Sequence, residues 1–312
     1  MAARHKNAVF TKPDASSHTM KMNQRLQGFY SLRSWLLLAV MVAAYFLEGP
    51  IESLLISPIV RAAGLHMIEH GEMSLVTYSV LILARLAWNI ALVCIVWRIL
   101  RRPQGSFPVQ DQHGFRRLTA GLLVGIVVMG GCILAIIAMG NASVTVHPQS
   151  LTTASTYAAG WLVFGMAGAA GEELYNRAAV LLVAERFIGW RGAVVVSGIM
   201  FFVFHLDNPG ASKLWLLRLF LQGMLLAYAV YRTQSLWWSI GYHTGWNWIG
   251  APIFGSAGSG YLNQGHLLDF VPNGSDFVTG GEVGPEGSVF AFVAVAAAFG
   301  LLMATTRRHI KP

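Results

Sequence analysis

Two adjacent carboxylates and an arginine, in Glu172-Glu173-Leu174-Tyr175-Asn176-Arg177, lie inside an apolar run that extends from Tyr157 to Phe187. A charged side chain at the centre of a membrane helix costs about 2.5–3.5 kcal/mol on insertion scales. Such charges persist where they pair, line a wet cavity or do chemistry. In a helix Glu173 and Arg177 are four residues apart and share a face, so they can form a structural pair. Glu172 is rotated about 100° from Glu173 and points elsewhere. One carboxylate is thereby available for chemistry while its neighbour shapes the site.

Three further polar side chains interrupt apolar runs. His205 ends the run Phe201-Phe202-Val203-Phe204, and His243 and Asn247 are four apart on one helical face. A rise of ~1.5 Å per helical residue puts Glu172 about 22 Å from Phe187 and His205 about 21 Å from Arg191. His243 lies roughly 16 Å from Arg232 on the same rise. Taken singly, a membrane histidine is often a hydrogen-bond link between helices, and a Glu–Arg pair is more often structural than catalytic. Two carboxylates, two imidazoles and an amide at comparable depth form a set capable of hydrolysis. No Ser–His–Asp set is evident, and neither Cys94 nor Cys132 has a base nearby in sequence, which disfavours a covalent nucleophile. Glu172, His205 and His243 could alternatively form a His₂Glu zinc site, although no His-Glu-x-x-His motif is present. Arg85 and Asn89 fall in another apolar run, with Arg85 about 20 Å from Arg98. Its favoured role is as partner to a neighbouring carboxylate, and its level leaves open an influence on Glu172.

The chain that must position these groups has 312 residues, 55% hydrophobic and only 12% charged. Soluble domains carry roughly 25% charged residues, so this composition suits lipid. The net charge of +8 does not point to nucleic acid, because the basic residues flank apolar runs rather than form a patch. The cysteines have no ligand spacing and read as small buried residues.

Apolar runs near the ~20 residues that cross a bilayer predict an all-α polytopic bundle of about eight spans. They begin at Trp35 (broken by Glu48-Gly49-Pro50, with an imperfect continuation to Val60) and cover 75–100, 118–140, 157–187, 192–206, 214–231, 237–254 and 289–305. The run 157–187 is long enough to tilt, or to break near Gly165, Gly168 and Gly171. A Ser/Thr loop follows the third span, Asp207-Asn208-Pro209-Gly210 marks a turn, and a Gly/Ser-rich acidic loop precedes the last span. Basic residues concentrate in the tail, the 98–117 and 185–191 loops, at Arg232 and at the C-terminus, which places both termini in the cytoplasm. Lys213 and Arg218 run against that trend. The expected organisation is a basic cytoplasmic tail (1–33), a membrane domain (34–306) with its catalytic region at 155–255, and a short cytoplasmic tail (307–312), without a removable signal peptide. The cell (plasma) membrane is the expected location.

Glu172-Glu173-x-x-x-Arg177, Phe201-x-x-x-His205 and His243-x-x-x-Asn247, in that order, resemble the CPBP family of intramembrane proteases, whose best-known members are type II CAAX prenyl endopeptidases. The resemblance covers about residues 155–255. One departure is Asn176-Arg177-Ala178, where the family often has Phe-Arg-Gly. The resemblance implies a glutamate-dependent endopeptidase with no cofactor, cleaving a peptide bond in a membrane-associated protein or peptide, with CAAX-type processing a candidate reaction. It implies that Glu172 and His205 activate water, that His243 and Asn247 stabilise the oxyanion, and that Glu173 and Arg177 shape the site. A metal-free site predicts activity that survives chelation and no stoichiometric zinc in the purified protein. The reading from another class is a transporter or binding scaffold that uses the buried Glu, His and Arg for a proton or ligand path. The paired half-repeats of many transporters are not found.

Overall fold

The computed structural model describes residues 32–100 and 108–306. The basic tail preceding Leu32, Arg101-Arg102 and the segment 307–312 lie outside the described residues. The rest is nearly all helical. Helix α1 (Leu32–Ile51) passes through Pro50 into a π-helical turn (Glu52–Ile56) and a short α2 (Ser57–Ala62). The Glu48-Gly49-Pro50 interruption therefore does not end the first run. Proline removes a helical donor and crowds the preceding turn, and the helix loosens into π geometry two residues later. A hairpin, β1 (Ile68–Glu69) and β2 (Glu72–Met73), leads into α3 (Leu75–Leu100), which matches the predicted second span.

Helix α4 (Gly114–Ala138) is followed by strand β3 (Ala142–Val146) where a loop was expected. Helix α5 (Leu151–Glu173), capped by Ser150 accepting from the Thr153 amide, continues into a π-helix (Leu174–Val180) and α6 (Leu181–Val203). No break occurs at Gly165, Gly168 or Gly171. The departures from α geometry are instead the π segment and Gly189, whose φ of 74° is open to glycine at little cost. Gly189 falls in the aqueous edge that Glu185 to Arg191 marks in the sequence.

The Asp207–Gly210 turn leads to α7 (Lys213–Thr233), and α8 (Trp237–Trp248) ends in a π-helix containing Pro252 (Ile249–Ile253). Strand β4 (Leu268–Pro272), the short α9 (Asp276–Thr279) and α10 (Val289–Thr305) complete the described chain. Strands β3 and β4 pair antiparallel with Val144 opposite Phe270.

Four segments are long and apolar enough to cross a membrane by length and composition: 34–62, 75–100, 114–138 and 213–233. Large apolar side chains on their outer faces, such as Phe46, Leu83, Ile90, Leu123 and Val127, are exposed, as expected of helices whose solvent is lipid. Cys132 is buried, but Cys94 is exposed on α3, contrary to the expectation that both are buried; an outward cysteine is an ordinary small apolar residue against hydrocarbon. Arg218, which ran against the charge trend, is buried and pairs with Glu286 at 2.5 Å. It therefore reports internal packing and not membrane orientation.

Candidate active site

Helix α8, which carries His243 and Asn247, is held in place by backbone contact with α4. A Cβ at Gly121 or Gly125 would overlap the carbonyls of Trp238 and Tyr242, and one at Gly241 or Gly245 would overlap those of Leu118 and Leu122. Each helix thus presents a Gly-x-x-x-Gly face to the other, the small-residue pattern that allows membrane helices to meet at backbone distance. On the other side of the site, Gly198 of α6 packs against Gly223 of α7, where a Cβ on Gly223 would lie 2.9 Å from the Gly198 Cα. That contact fixes the end of α6, where Phe201 and His205 lie.

Glu172 and Glu173 occupy the last turn of α5, and Arg177 lies within the π-helix that follows. Single-turn π segments often occur at functional sites, because the widened turn re-aims side chains and frees backbone groups. Here the Asn176 amide donates to the Glu172 carbonyl at 3.1 Å, and the Asn176 carbonyl accepts from Ser197 of α6 at 3.2 Å. Asn176, the departure from the family's pattern, is thereby part of the frame beneath Glu172.

Glu173 and Arg177 have side chains with no solvent exposure, and Arg177 Nε lies 3.2 Å from Glu173 Oε2. The other Glu173 oxygen lies 3.0 Å from His243 Nδ1. His243 Nε2 faces Glu172 Oε2 at 3.9 Å, a separation open to closure by a small movement or a bridging water. The imidazole therefore stands between the two glutamates, with Glu173 neutralised on its far side by Arg177.

Glu172, His205 and Asn247 line one cavity of about 1020 Å³, together with Tyr78, Asn89 and Thr244. His243 is buried behind the cavity wall, in contact with Glu172. His205 Nδ1 lies 2.7 Å from the Phe201 carbonyl. A carbonyl only accepts, so Nδ1 donates, and the neutral ring keeps a lone pair on Nε2. Arg85 pairs with Glu52 at 2.8 Å and approaches Glu48 at 3.8 Å, which makes it the partner of neighbouring carboxylates.

Glu48 and Glu52 also line the cavity, the first from the Glu48-Gly49-Pro50 interruption of the first apolar run. Their four-residue spacing inside a partly apolar run was the available signal. The Phe201 ring, in sequence only part of the apolar run that His205 ends, borders three site residues. Arg177 stands 4.3 Å over it, and His205 and His243 lie 5.2 and 5.7 Å from it between ring centres. Tyr78 and Thr244 gave no signal, since a tyrosine or threonine in a membrane helix is unremarkable on its own.

These features define an integral membrane protein whose helices bring a carboxylate, an imidazole and an amide to one cavity, with a second imidazole buried beside it. Residues 154–249 match the family model of the type II CAAX prenyl endopeptidase Rce1-like proteins. The match falls on the segment that carries all three motifs and bears out the resemblance to CPBP-family intramembrane proteases. At family level it supports a membrane protease. No curated protein and no solved structure gives a significant match to the chain.

Proposed function

We propose that the chain is a glutamate-dependent intramembrane endopeptidase that cleaves a peptide bond in a membrane-associated protein or peptide, of the kind processed in CAAX-type maturation. The reading is carried by one observation: Glu172 and His205 reach the same cavity as Asn247, while His243, anchored by Glu173, contacts Glu172 from behind. A water held between Glu172 and the free Nε2 of His205 loses a proton to this pair as it attacks the peptide carbonyl. Charge then develops on the carbonyl oxygen, toward which Asn247 donates from the cavity lining, joined by His243 once its Nε2 turns from Glu172 into the cavity. Donors already in place act without reorganisation in a water-poor site and contribute several kcal/mol. For His243 to donate from Nε2 while Nδ1 is engaged it must be an imidazolium, and Glu172 and Glu173 supply its counter-charge. The proton taken from water passes to the leaving amine.

Metal-independent chemistry is favoured by the missing His-Glu-x-x-His motif, the usual helical zinc signature. The proposed setting is the cell membrane, with about eight spans and both termini in the cytoplasm. The recurrence of basic residues at alternate helix ends, at Arg98, Arg116-Arg117, Arg186, Arg191 and Arg232, supports that orientation.

The test compares the membrane proteome of cells carrying the wild-type protein with that of cells carrying Glu172→Ala. Uncleaved forms of specific membrane proteins should accumulate with the variant, at equal protein level. Identical cleavage patterns would overturn the reading, and loss of a transport activity alone would favour a carrier.

A further inference from the structure

Away from the catalytic cavity, His147, His266 and Asp269 meet beside the β3–β4 ribbon, with one ligand atom of each within 4.8 Å of the others. The strand register creates the cluster. Thr145 pairs with Asp269, so His147, two residues further along, shares a face with that carboxylate. The His147 amide bonds the Leu267 carbonyl at 3.1 Å and fixes the chain where β3 ends. His147 Nδ1 and His266 Nε2 lie 2.8 and 2.9 Å from the same atom, Asp269 Oδ1.

The second nitrogen of His266 decides what this arrangement requires. Nδ1 faces two acceptors, the Asn263 carbonyl at 2.9 Å and the Glu72 carboxylate at 3.5 Å, so it carries a hydrogen. A neutral imidazole has a single N–H. Nε2 of the neutral ring therefore presents a lone pair to a carboxylate oxygen at hydrogen-bond distance, a repulsion that either a proton or a metal ion between them removes. An imidazole with one nitrogen bound to a carbonyl or carboxylate and the other aimed at a second ligand is the usual form of a metal-ligating histidine. His266 is buried, while His147 and Asp269 keep about a third of their side chains exposed, which leaves a path for an ion.

We infer that His147 Nδ1, His266 Nε2 and the Asp269 carboxylate form a binding site for a divalent transition metal of the zinc class, with water as the fourth ligand. Zinc at ~2.0–2.1 Å from each ligand in tetrahedral geometry separates neighbouring donors by roughly 3.3 Å. The present contacts need widen by only about half an ångström to reach that separation, within reach of rotation about the partly exposed His147 and Asp269 side chains.

The site's place in the fold suggests its effect. The chain immediately before His266 walls the catalytic cavity through Tyr261 and Asn263, and Asn263 bridges to Met73 of the β1–β2 hairpin. Gln149 holds the His266 carbonyl at 2.7 Å, and Trp161 holds that of Gln264 at 2.8 Å. An ion at this point ties β3, β4 and the cavity wall together. Metal would then copurify without being catalytic. The sequence expectation of a zinc-free protein is thereby narrowed to a zinc-free catalytic pocket.

The experiment uses the full chain in detergent, stripped with chelator and titrated with cobalt(II), whose visible absorption reports tetrahedral nitrogen and oxygen ligation. One cobalt per chain is expected, with affinity reduced more than about tenfold in His147→Ala and in Asp269→Asn and unchanged in Glu172→Gln. Zinc should raise the melting temperature of the wild type and of Glu172→Gln, and have no effect on the other two. Because His147 and Asp269 are partly exposed, both variants should fold, which circular dichroism checks. Failure to take up cobalt, uptake unaffected by both loop substitutions, or uptake abolished by Glu172→Gln would each overturn the assignment.

Discussion

The guanidinium carbon of Arg177 lies 4.3 Å from the centre of the Phe201 ring. The ring is fully buried and also borders His205 and His243, so one apolar side chain supports the cation and both imidazoles. A cation over an aromatic face gains about 0.5–2 kcal/mol when desolvated, beyond the packing of the ring. Phe201→Ala should lose the packing as well and cost about 3–5 kcal/mol. Phe201→Leu keeps most of the apolar volume, so its melting temperature should fall only slightly while cleavage falls at least tenfold. Equal losses of stability and activity in the leucine variant would mean that the ring only fills space.

The Glu173–Arg177 pair has a sharper expectation, because neither side chain reaches solvent. Removing one member of a buried pair leaves the other charge unsatisfied, at a cost of about 3–5 kcal/mol. Arg177→Ala should therefore lower the melting temperature strongly, and activity with it. Glu173→Gln should be as damaging, since it also removes the carboxylate that holds His243. An Arg177→Ala variant that melts normally would show that the pair does not carry this load.

The glycine contacts between α4 and α8 separate positional from chemical effects. Gly245→Val or Gly125→Leu should force the two helices apart and abolish folded, active protein, because the obstruction is backbone on both sides. Gly131 lies on the same α4 with no atom within 4 Å of an added Cβ. Gly131→Ala should stay within about 0.5 kcal/mol of the wild type, as surface substitutions usually do. Melting curves of the three variants in one detergent decide the matter, and a stable Gly245→Val would remove the close-approach explanation.

The sequence made the carboxylate–imidazole set legible because polar residues inside apolar runs are costly and stand out. Helices α3 and α10 could be bounded for a related reason, as long apolar runs have sharp polar ends. The ribbon was less legible: Ala142–Val146 is a five-residue alternation among Ser and Thr, too short for its period to be distinguished from a loop, and its partner lies more than a hundred residues away. The π-helix was invisible for a different reason, since a register change of one residue over Leu174–Val180 leaves no mark in composition. The His147–His266–Asp269 cluster depended on that ribbon, so no local spacing announced it. Arg85 was partly legible, because a lone arginine in an apolar run demands a carboxylate, but which one was set by α1 continuing past Pro50.

The final prediction separates the two roles open to a metal. If Glu172 and His205 activate water without an ion, Glu172→Gln should lower kcat by at least about 10²-fold, the usual lower range for a lost general base. It should do so without disturbing cobalt uptake at the loop cluster. Asp269→Asn, which lacks the loop ligand, should then cleave a peptide substrate at a rate that chelator does not change. Wild-type protein should lose some activity on stripping only to the extent that its cavity wall loosens, and zinc should restore it. A catalytic ion would behave differently: it would draw His205 and His243 to ~2.0–2.1 Å from one centre. That arrangement would take His243 away from the oxyanion and leave Asn247 as the only donor of the proposed pair. Asp269→Asn protein that goes dead with chelator and revives with about one zinc per chain, the content of a catalytic site, would end the glutamate–water mechanism.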